Sequence, residues 1–211
     1  MGLLEQLQQR VVDGEEEPTI ALVQQALAEG LPADRILKEG LIPAMAKVGE
    51  LFEAGEYFVP EMLIAAQAMK SGLALLRPRL AEAKVESSGK VVLGTVQGDL
   101  HDIGKNLVGM MLEGAGFEVI DLGVDVSPQK FVDAVKIHRP QFVGCSALLT
   151  TTMPRMKAVI EELNRSGLRG TVKVMIGGAP ITQQFADDIG ADIFAPDAVL
   201  AARRAQEFVA A

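Results

Sequence analysis

The sequence is poor in several residue types that carry common protein chemistries. Its 211 residues include a single cysteine, Cys145, which excludes an internal disulfide and a multi-thiolate metal site. Cys145 lies in the apolar run QFVGCSALL, which is typical of a buried core side chain. The net charge of −8 argues against nucleic acid as a partner, because phosphate binding depends on Lys and Arg. No apolar run approaches the roughly 18 residues of a membrane span, and no signal core is present, so we expect a cytoplasmic protein without membrane contact.

The first 80 residues have the periodicity of helices. Apolar residues recur at three- and four-residue steps. Pro18 suits a first helical turn, and Gly30 and Gly55 stand where helices commonly stop. Pro43 should interrupt or kink the third helix because it lacks an amide hydrogen. The pattern predicts a four-helix bundle domain over residues 1–85, with helices near 3–13, 18–29, 33–54 and 59–80.

After the polar stretch 81–90, which we interpret as a linker, the rhythm of the sequence changes. Five β-branched runs each precede a segment that can form a helix: VVLGTV, FEVIDL, QFVGCSA, VKVMIGG and ADIFA. This alternation predicts an α/β domain over residues 90–211 with a five-stranded parallel, doubly wound sheet covered by helices on both faces. Such sheets commonly place the first and third strands side by side and bind ligands beyond their carboxyl ends.

The segment after the first predicted strand, GDLHDIGKN at 98–106, is the most informative in the chain. Residues two apart in an extended loop point to the same side, so Asp99 can accept a hydrogen bond from one imidazole nitrogen of His101. The other nitrogen then faces a metal. Gly104 would let a bulky planar group approach the backbone. The second histidine, His138, has no comparable neighbours and is expected at the exposed end of a helix.

The third and fourth predicted strands end in residues that would share this edge of the sheet. The third ends in CSALLTTT at 145–152, and Ser146 is expected to extend the hydrogen-bonded chain of Asp99 and His101. The fourth ends in Gly177-Gly178, two positions without side chains. Hydroxyl-rich loops usually cap helices, and a histidine in such a turn is weak on its own. The coincidence of three strand ends favours a deep slot.

These motifs resemble a known signature. Asp99-x-His101-x-x-Gly104, Ser146-x-Leu148 and Gly177-Gly178 look like the signature of cobalamin-binding domains. The helical half, in Met45-x-x-Val48-Gly49-x-x-Phe52-x-x-Gly55-x-x-Phe58-x-Pro60, resembles the cap of methionine synthase and of the corrinoid proteins of anaerobic methyltransferase systems. The resemblance covers nearly the whole chain and implies a helical cap followed by a flavodoxin-like cobalamin-binding domain.

The resemblance also implies a cofactor and a set of contacts. Cobalamin or a related cobalt corrinoid would be bound base-off, with His101 as the lower metal ligand, tuned by Asp99 and Ser146. The nucleotide tail would be lined by Thr150, Gly177 and Gly178, and the upper, methyl-bearing face would be shielded by Phe52 and Val59. Further cofactor contacts are implied for Asp102, Ile103, Gly104 and Leu148. The methionine synthase cap has leucine where this chain has Val59. From periodicity alone, Phe52, Phe58, Met45 and Met62 are bundle core.

The function implied is that of a methyl carrier. Co(I) would accept a methyl group, and methyl-Co(III) would deliver it to a pterin, folate or thiol. Catalysis would belong to partner chains: a substrate-specific methyltransferase, an acceptor methyltransferase and a reductive activase. The donor stays open among methanol, methylamines, betaines, methyl thiols and aromatic methyl ethers.

Three other functions remain open at this point. A subunit of an adenosylcobalamin mutase needs no helical cap. A corrinoid-based sensor should carry a DNA-binding module, and no basic recognition helix is seen. A flavin module of the same fold is disfavoured by the absence of Trp, the lone Tyr57 and the histidine in the first loop.

Overall fold

The computed structural model describes residues 2–83, 85 and 87–210. These divide into two compact units. One contains the residues up to Ser87 together with Glu113–Gly116, and the other contains Ser88–Leu112 and the residues from Phe117 onward. The predicted linker, 81–90, includes Lys84 and Glu86, which lie outside the described residues. Within the described part of the chain, no helix is both long and apolar enough to cross a membrane.

The helical unit is built as the periodicity predicts. Its helices are α1 (Leu3–Val12), α2 (Glu16–Ala28), α3 (Ala33–Ile36), α4 (Ile42–Glu53) and α5 (Val59–Glu82). Pro18 lies in the first turn of α2. Gly30 and Gly55 follow α2 and α4 with φ of +83° and +73°, the left-handed conformation that ends helices. The core of the unit is formed by large side chains that are fully buried, including Leu7, Ile36, Leu41, Met62 and Leu76.

Pro43 interrupts the third predicted helix, as expected. Residues Leu37–Leu41 form a π-helical turn between α3 and α4. Pro43 has no N–H to donate to the carbonyl of Glu39 four residues earlier. That carbonyl instead accepts a hydrogen bond from Nε2 of Gln8, at 2.5 Å. The side chain of α1 thus satisfies the backbone group that the proline leaves without its helical partner.

The second unit contains the predicted five-stranded sheet. Its strands are β1 (Lys90–Thr95), β2 (Glu118–Asp121), β3 (Phe142–Ser146), β4 (Lys173–Gly177) and β5 (Ile193–Phe194). They alternate with α6 (Ile103–Gly114), α7 (Pro128–His138), α8 (Pro154–Arg165) and α9 (Gln183–Ile189), and α10 (Ala198–Ala210) closes the chain. All pairings are parallel, in the order β2-β1-β3-β4-β5. The first and third strands are therefore neighbours, as predicted.

Helices cover both faces of the sheet. On one face Val92, Val143 and Val174 lie in register and are fully buried among residues of α7, α8 and α9. On the other face Leu93 packs against Gly109 of α6. Phe142 meets Phe208 of α10 edge to face, with ring centroids 5.7 Å apart. Burial on both faces explains why the strands are almost continuously apolar.

The register brings three strand ends together. Thr95 pairs with Ser146, and Ser146 pairs with Gly177. The loops that follow β1, β3 and β4 therefore leave the same edge of the sheet side by side, at the point where the chain direction of the crossovers reverses. This is the edge on which the sequence places its candidate residues.

Candidate functional site

The carboxylate of Asp99 is the centre of the site. It is fully buried. Its Oδ1 accepts hydrogen bonds from the backbone N–H of His101 at 3.1 Å and from Nδ1 of the same residue at 2.7 Å. Its Oδ2 accepts from the N–H groups of Leu148 and Leu149, at 2.9 and 3.2 Å, and from Oγ1 of Thr152 at 2.6 Å. Five donors thus hold one buried negative charge, which offsets the cost of its desolvation.

The charge state of Asp99 sets the tautomer of His101. Burial raises the pKa of Asp99. The hydrogen bonds from Thr152, from His101 and from the backbone lower this pKa by more than burial raises it, so it lies well below its usual range. An ionised carboxylate can only accept hydrogen bonds, so Nδ1 of His101 carries the hydrogen. The lone pair is then on Nε2. The imidazole is half exposed, at 51%, so Nε2 is accessible to a metal.

The hydrogen-bonded chain continues to Thr152, whereas the sequence predicted Ser146. Among the described residues the structure shows no hydrogen bond from the Ser146 side chain to Asp99 or His101, so that expectation was wrong. Ser146 ends β3, and its carbonyl accepts from the N–H of Val96 at 3.0 Å. The loop then doubles back and brings Thr152 over the carboxylate. The run Thr150-Thr151-Thr152 was visible in the sequence, but its spacing does not say which hydroxyl returns.

Thr95 is a second residue that the sequence did not reveal. It is fully buried at the end of β1, and its Oγ1 donates to the carbonyl of His101 at 2.9 Å. This bond holds the backbone of His101 while Asp99 holds its ring. The imidazole is therefore oriented from two sides, which reduces the entropy lost when it binds a metal.

Gly104 and its surroundings form an open apolar surface around His101. Gly104 is exposed, its φ is ordinary, and a Cβ built on it meets no atom within 4 Å. Neither packing nor backbone conformation of the protein therefore requires a glycine there. Leu100 and Ile103 are 71% and 77% exposed, and Leu148 and Leu149 are also exposed. These exposed apolar side chains and the open space at Gly104 leave room for a flat, largely apolar ligand.

The glycines after β4 have a structural reason of their own. A Cβ on Gly177 would lie 2.8 Å from the carbonyl oxygen of Ala195, and one on Gly178 would lie 1.9 Å from that of Ala147. Gly178 also has a φ of +136°. Close packing of backbone on backbone thus requires both positions to be glycine, and this requirement holds whether or not they also line a ligand.

Two of the remaining predicted contacts lie at the same edge. Thr150 is exposed in the loop after β3. Asp102 is exposed just before α6, where its Oδ2 accepts from Nδ2 of Asn106 at 3.2 Å. Both side chains are accessible from solvent, as a role in ligand contact requires.

In the helical unit the predicted shielding residues and the core residues separate clearly. Phe52 is half-buried, and Phe58 and Val59 are 63% and 40% exposed. Met45 and Met62 are buried, at 2% and 0%, so bundle core is the correct interpretation for these two. The end of α4 and the start of α5 therefore present apolar side chains that the unit itself does not cover.

Comparison with known proteins identifies the relatives of both units. The profile of the B12 binding domain matches residues 89–203, and that of a second B12 binding domain matches residues 3–77. The chain is 44% identical over 201 residues to corrinoid protein DSY3155 of Desulfitobacterium hafniense, covering 94% of this chain and 93% of the other. It is 44% identical over 208 residues to dimethylamine corrinoid protein 3 of Methanosarcina acetivorans, covering 99% and 97%.

Solved structures agree. A cobalamin-binding protein from Desulfitobacterium hafniense matches with a TM-score of 0.81 and 36% identity over 97% of this chain and 98% of the other. The methanol:cobalamin methyltransferase complex MtaBC from Methanosarcina barkeri matches with a TM-score of 0.89 and 29% identity over 99% of this chain and 80% of that chain.

Proposed function

Because this chain belongs to the family of B12-binding corrinoid proteins, we propose that it carries a methyl group on a cobalt corrinoid between two methyltransferases. The observation that carries the proposal is the 2.7 Å hydrogen bond between Nδ1 of His101 and the buried carboxylate of Asp99. It leaves the lone pair on Nε2 of a half-exposed imidazole, which supports binding of a metal by this residue. When bound, the corrinoid supplies the nucleophilic cobalt that takes up and gives up the methyl group.

His101 is proposed as the lower ligand of the metal, in the base-off, histidine-on state. The carboxylate of Asp99 accepts a hydrogen bond from Nδ1 and so orients the imidazole, and Oγ1 of Thr152 in turn donates to the carboxylate. The three residues would thus hold the imidazole in one orientation toward the metal.

The contacts of the cofactor are proposed at the same edge of the sheet. Gly104 gives the corrin ring access to the start of α6, beside Asp102, Ile103 and Leu148. The displaced nucleotide tail is proposed to enter between the sheet and its helices, near Ser146, Thr150, Gly177 and Gly178. The small side chains of Ser146 and Thr150 support the proposal, because a planar base needs a slot that larger side chains would fill.

Residues 1–85 are proposed as the cap domain and 90–211 as the cobalamin-binding domain. Phe52 and Val59 would shield the methyl-bearing face of the ring, and the exposed side chain of Phe58 would join them. An apolar cover excludes water and competing nucleophiles from a reactive metal–carbon bond. Because the methyl group must be both protected and delivered, we expect the two domains to move across residues 81–90.

The names of the relatives suggest which partners to test. Several are corrinoid proteins for dimethylamine or trimethylamine, and one structural relative is part of a methanol:cobalamin methyltransferase complex. We propose that this chain works with a substrate-specific methyltransferase and an acceptor methyltransferase, the latter using a pterin, folate or thiol. A reductive activase would restore the reduced metal. Methylamines are the first donors to test.

The proposed function is tested by charging the reduced, corrinoid-loaded protein with candidate donors in cell extract. We expect methylcobalt absorption to appear with one donor class and to disappear when the acceptor system is added. Donor-free extract is the control for methylation by endogenous compounds. A protein that holds corrinoid but accepts a methyl group from none of the donors would contradict the role of carrier.

A further inference from the structure

The loop between β2 and α7 makes two hydrogen bonds to the backbone of Gly98 and Asp99. Oδ1 of Asp125 accepts a hydrogen bond from the N–H of Gly98 at 2.7 Å. The N–H of Asp125 donates to the carbonyl of Asp99 at 3.0 Å. The two bonds run in opposite directions and hold the Gly98–Asp99 pair between them. Asp125 therefore contacts the Gly98–Asp99 pair through both its backbone and its side chain.

Asp125 adopts an uncommon backbone conformation to do so. Its φ is +52°, and in the described chain the only other non-glycine residue with positive φ is Arg139, at the end of α7. Aspartate and asparagine tolerate this region better than most residues, but it is still less favourable than ordinary loop conformations. The conformation places the N–H and the carboxylate on the same side, facing Gly98 and Asp99.

The residues on both sides of Asp125 in this loop are held by backbone hydrogen bonds to Thr95, which fixes the position of Asp125. The N–H of Thr95 donates to the carbonyl of Gly123 at 3.0 Å, and the N–H of Val126 donates to the carbonyl of Thr95 at 2.9 Å. On the other side of His101, the buried ammonium of Lys105 contacts Oδ2 of Asp121 at 2.5 Å. The loop therefore contacts the chain before His101, and Asp121, the last residue of β2, contacts Lys105 after it.

We propose that Asp125 is a positioning residue for the metal ligand. It fixes the backbone of Asp99, and Asp99 fixes the ring of His101 through Nδ1. Without the carboxylate of Asp125, Gly98 and Asp99 gain freedom, and the orientation of His101 toward the metal becomes less favourable. The inference rests on the proposed function, since it concerns the strength of histidine ligation to a corrinoid.

Two substitutions of Asp125 separate the effect of its side-chain hydrogen bond from the effects of its charge and its backbone conformation. Asp125→Gly removes the acceptor but permits positive φ and keeps the N–H that binds Asp99. Asp125→Asn keeps an acceptor oxygen and tolerates the same φ, but removes the charge. The matched control is Asp192→Ala. Asp192 also accepts a backbone hydrogen bond, from the N–H of Val174 at 2.7 Å, but it lies at the opposite edge of the sheet.

The first measurement uses the apoprotein. Hydrogen exchange at the amide of Gly98 should be slow in the wild type and in Asp125→Asn, and at least tenfold faster in Asp125→Gly. Asp192→Ala should leave it unchanged. This measurement needs no corrinoid. A Gly98 amide that exchanges freely in the wild type would overturn the inference even if Asp125→Gly failed to fold.

The second measurement uses cobalamin-loaded protein labelled with 15N-histidine, in the Co(II) state, where two-fold splitting by 15N in the electron paramagnetic resonance spectrum reports histidine, and not the base of cobalamin, as the axial ligand. We expect the ratio of histidine-on to histidine-off protein to fall about tenfold in Asp125→Gly, which is about 1.4 kcal/mol. Asp125→Asn should restore it to within about threefold, and Asp192→Ala should lower the melting temperature without changing the ratio.

The outcomes are distinguishable. A wild-type protein with no 15N splitting overturns the proposed histidine ligation and this inference together, whereas the carrier function is tested separately by methyl transfer from the candidate donors. A wild-type signal that Asp125→Gly retains in full overturns the inference alone. A loss of signal in Asp192→Ala equal to that in Asp125→Gly would mean that general destabilisation is the cause, and it would also overturn the role assigned to Asp125.

Discussion

Substitution of Gly104 separates the needs of the fold from those of the cofactor. A Cβ at this position meets no protein atom within 4 Å, and the φ is ordinary. Alanine is the better helix former by up to about 1 kcal/mol, and less near a helix end. Gly104→Ala should therefore leave the apoprotein as stable as the wild type or raise its melting temperature by about 2–4 °C at most.

The same substitution should weaken corrinoid binding. Gly104 lies in the first turn of α6, three residues after His101, so the added methyl group would occupy space where the ring is proposed to lie. Overpacking of a fitted contact costs about 1–3 kcal/mol, which raises the dissociation constant by roughly 5- to 150-fold. Gly104→Leu should weaken binding further. In Gly178→Ala, by contrast, the new Cβ would lie 1.9 Å from a carbonyl oxygen, so the apoprotein itself should be destabilised.

Thermal unfolding of the apoprotein and titration with corrinoid test this reasoning. The chain contains no Trp, so binding is best followed by corrinoid absorption after separation of free cofactor. Gly170→Ala is the matched control, because a Cβ at Gly170 also meets nothing within 4 Å and Gly170 lies before β4, away from the site. Unchanged affinity in both Gly104 variants, or an apoprotein destabilised by Gly104→Ala, would refute the proposed ring position.

Three further predictions concern other parts of the molecule. Thr152→Val should lower the free energy of unfolding by about 1–3 kcal/mol, because it removes a donor to the buried Asp99 carboxylate. Thr152→Ser keeps the hydroxyl and should recover most of this loss. Equal melting curves for the two variants would contradict the role of Thr152. Burial raises the pKa of the Cys145 thiol from 9.0 to about 12, so folding favours the neutral form. In denaturant titrations the wild type should then lose stability as pH rises from about 9 to 12, and Cys145→Ala should lose less. The native thiol should also not react with thiol reagents at pH 8. Rapid labelling at that pH would contradict the burial of Cys145. Met62→Ala should lower the free energy of unfolding by about 2–5 kcal/mol, whereas Phe58→Ala should leave it nearly unchanged. In the methylated, corrinoid-loaded protein, Phe58→Ala should speed the loss of the methyl group to added thiol. A methyl lifetime that Phe58→Ala does not change would contradict the shielding role of Phe58.

The sequence predicted the fold because the signals that determine it are local. The change from a period of 3.6 to short apolar runs separates the bundle from the sheet, and parallel order follows from the alternation of strands and helices. Pro43 predicted an interruption of the third helix. The form of that interruption, a π-helical turn with Gln8 bonded to the freed carbonyl of Glu39, depends on packing between helices, which the sequence does not display.

The site was predictable only where residues are close in sequence. The bond between Asp99 and His101 joins residues two apart and is confirmed. The partner of Asp99 on the third strand's loop was misassigned to Ser146, because the return path of a loop decides whether that residue or Thr152 reaches the carboxylate. The bond from Thr95 to His101 depends on how the short loop between them turns, and the bond from Gly98 to Asp125 joins segments that only the folded sheet brings together.

The bond between Nε2 of His101 and cobalt is tested most directly by electron paramagnetic resonance of the reconstituted Co(II) protein with and without 15N-labelled histidine. The account predicts splitting of the cobalt lines by one axial nitrogen, a change from three-fold to two-fold splitting on 15N labelling, and loss of the splitting in His101→Gly. Splitting that ignores the histidine label, or that survives in His101→Gly, would show that the corrinoid keeps its own base and would contradict the account.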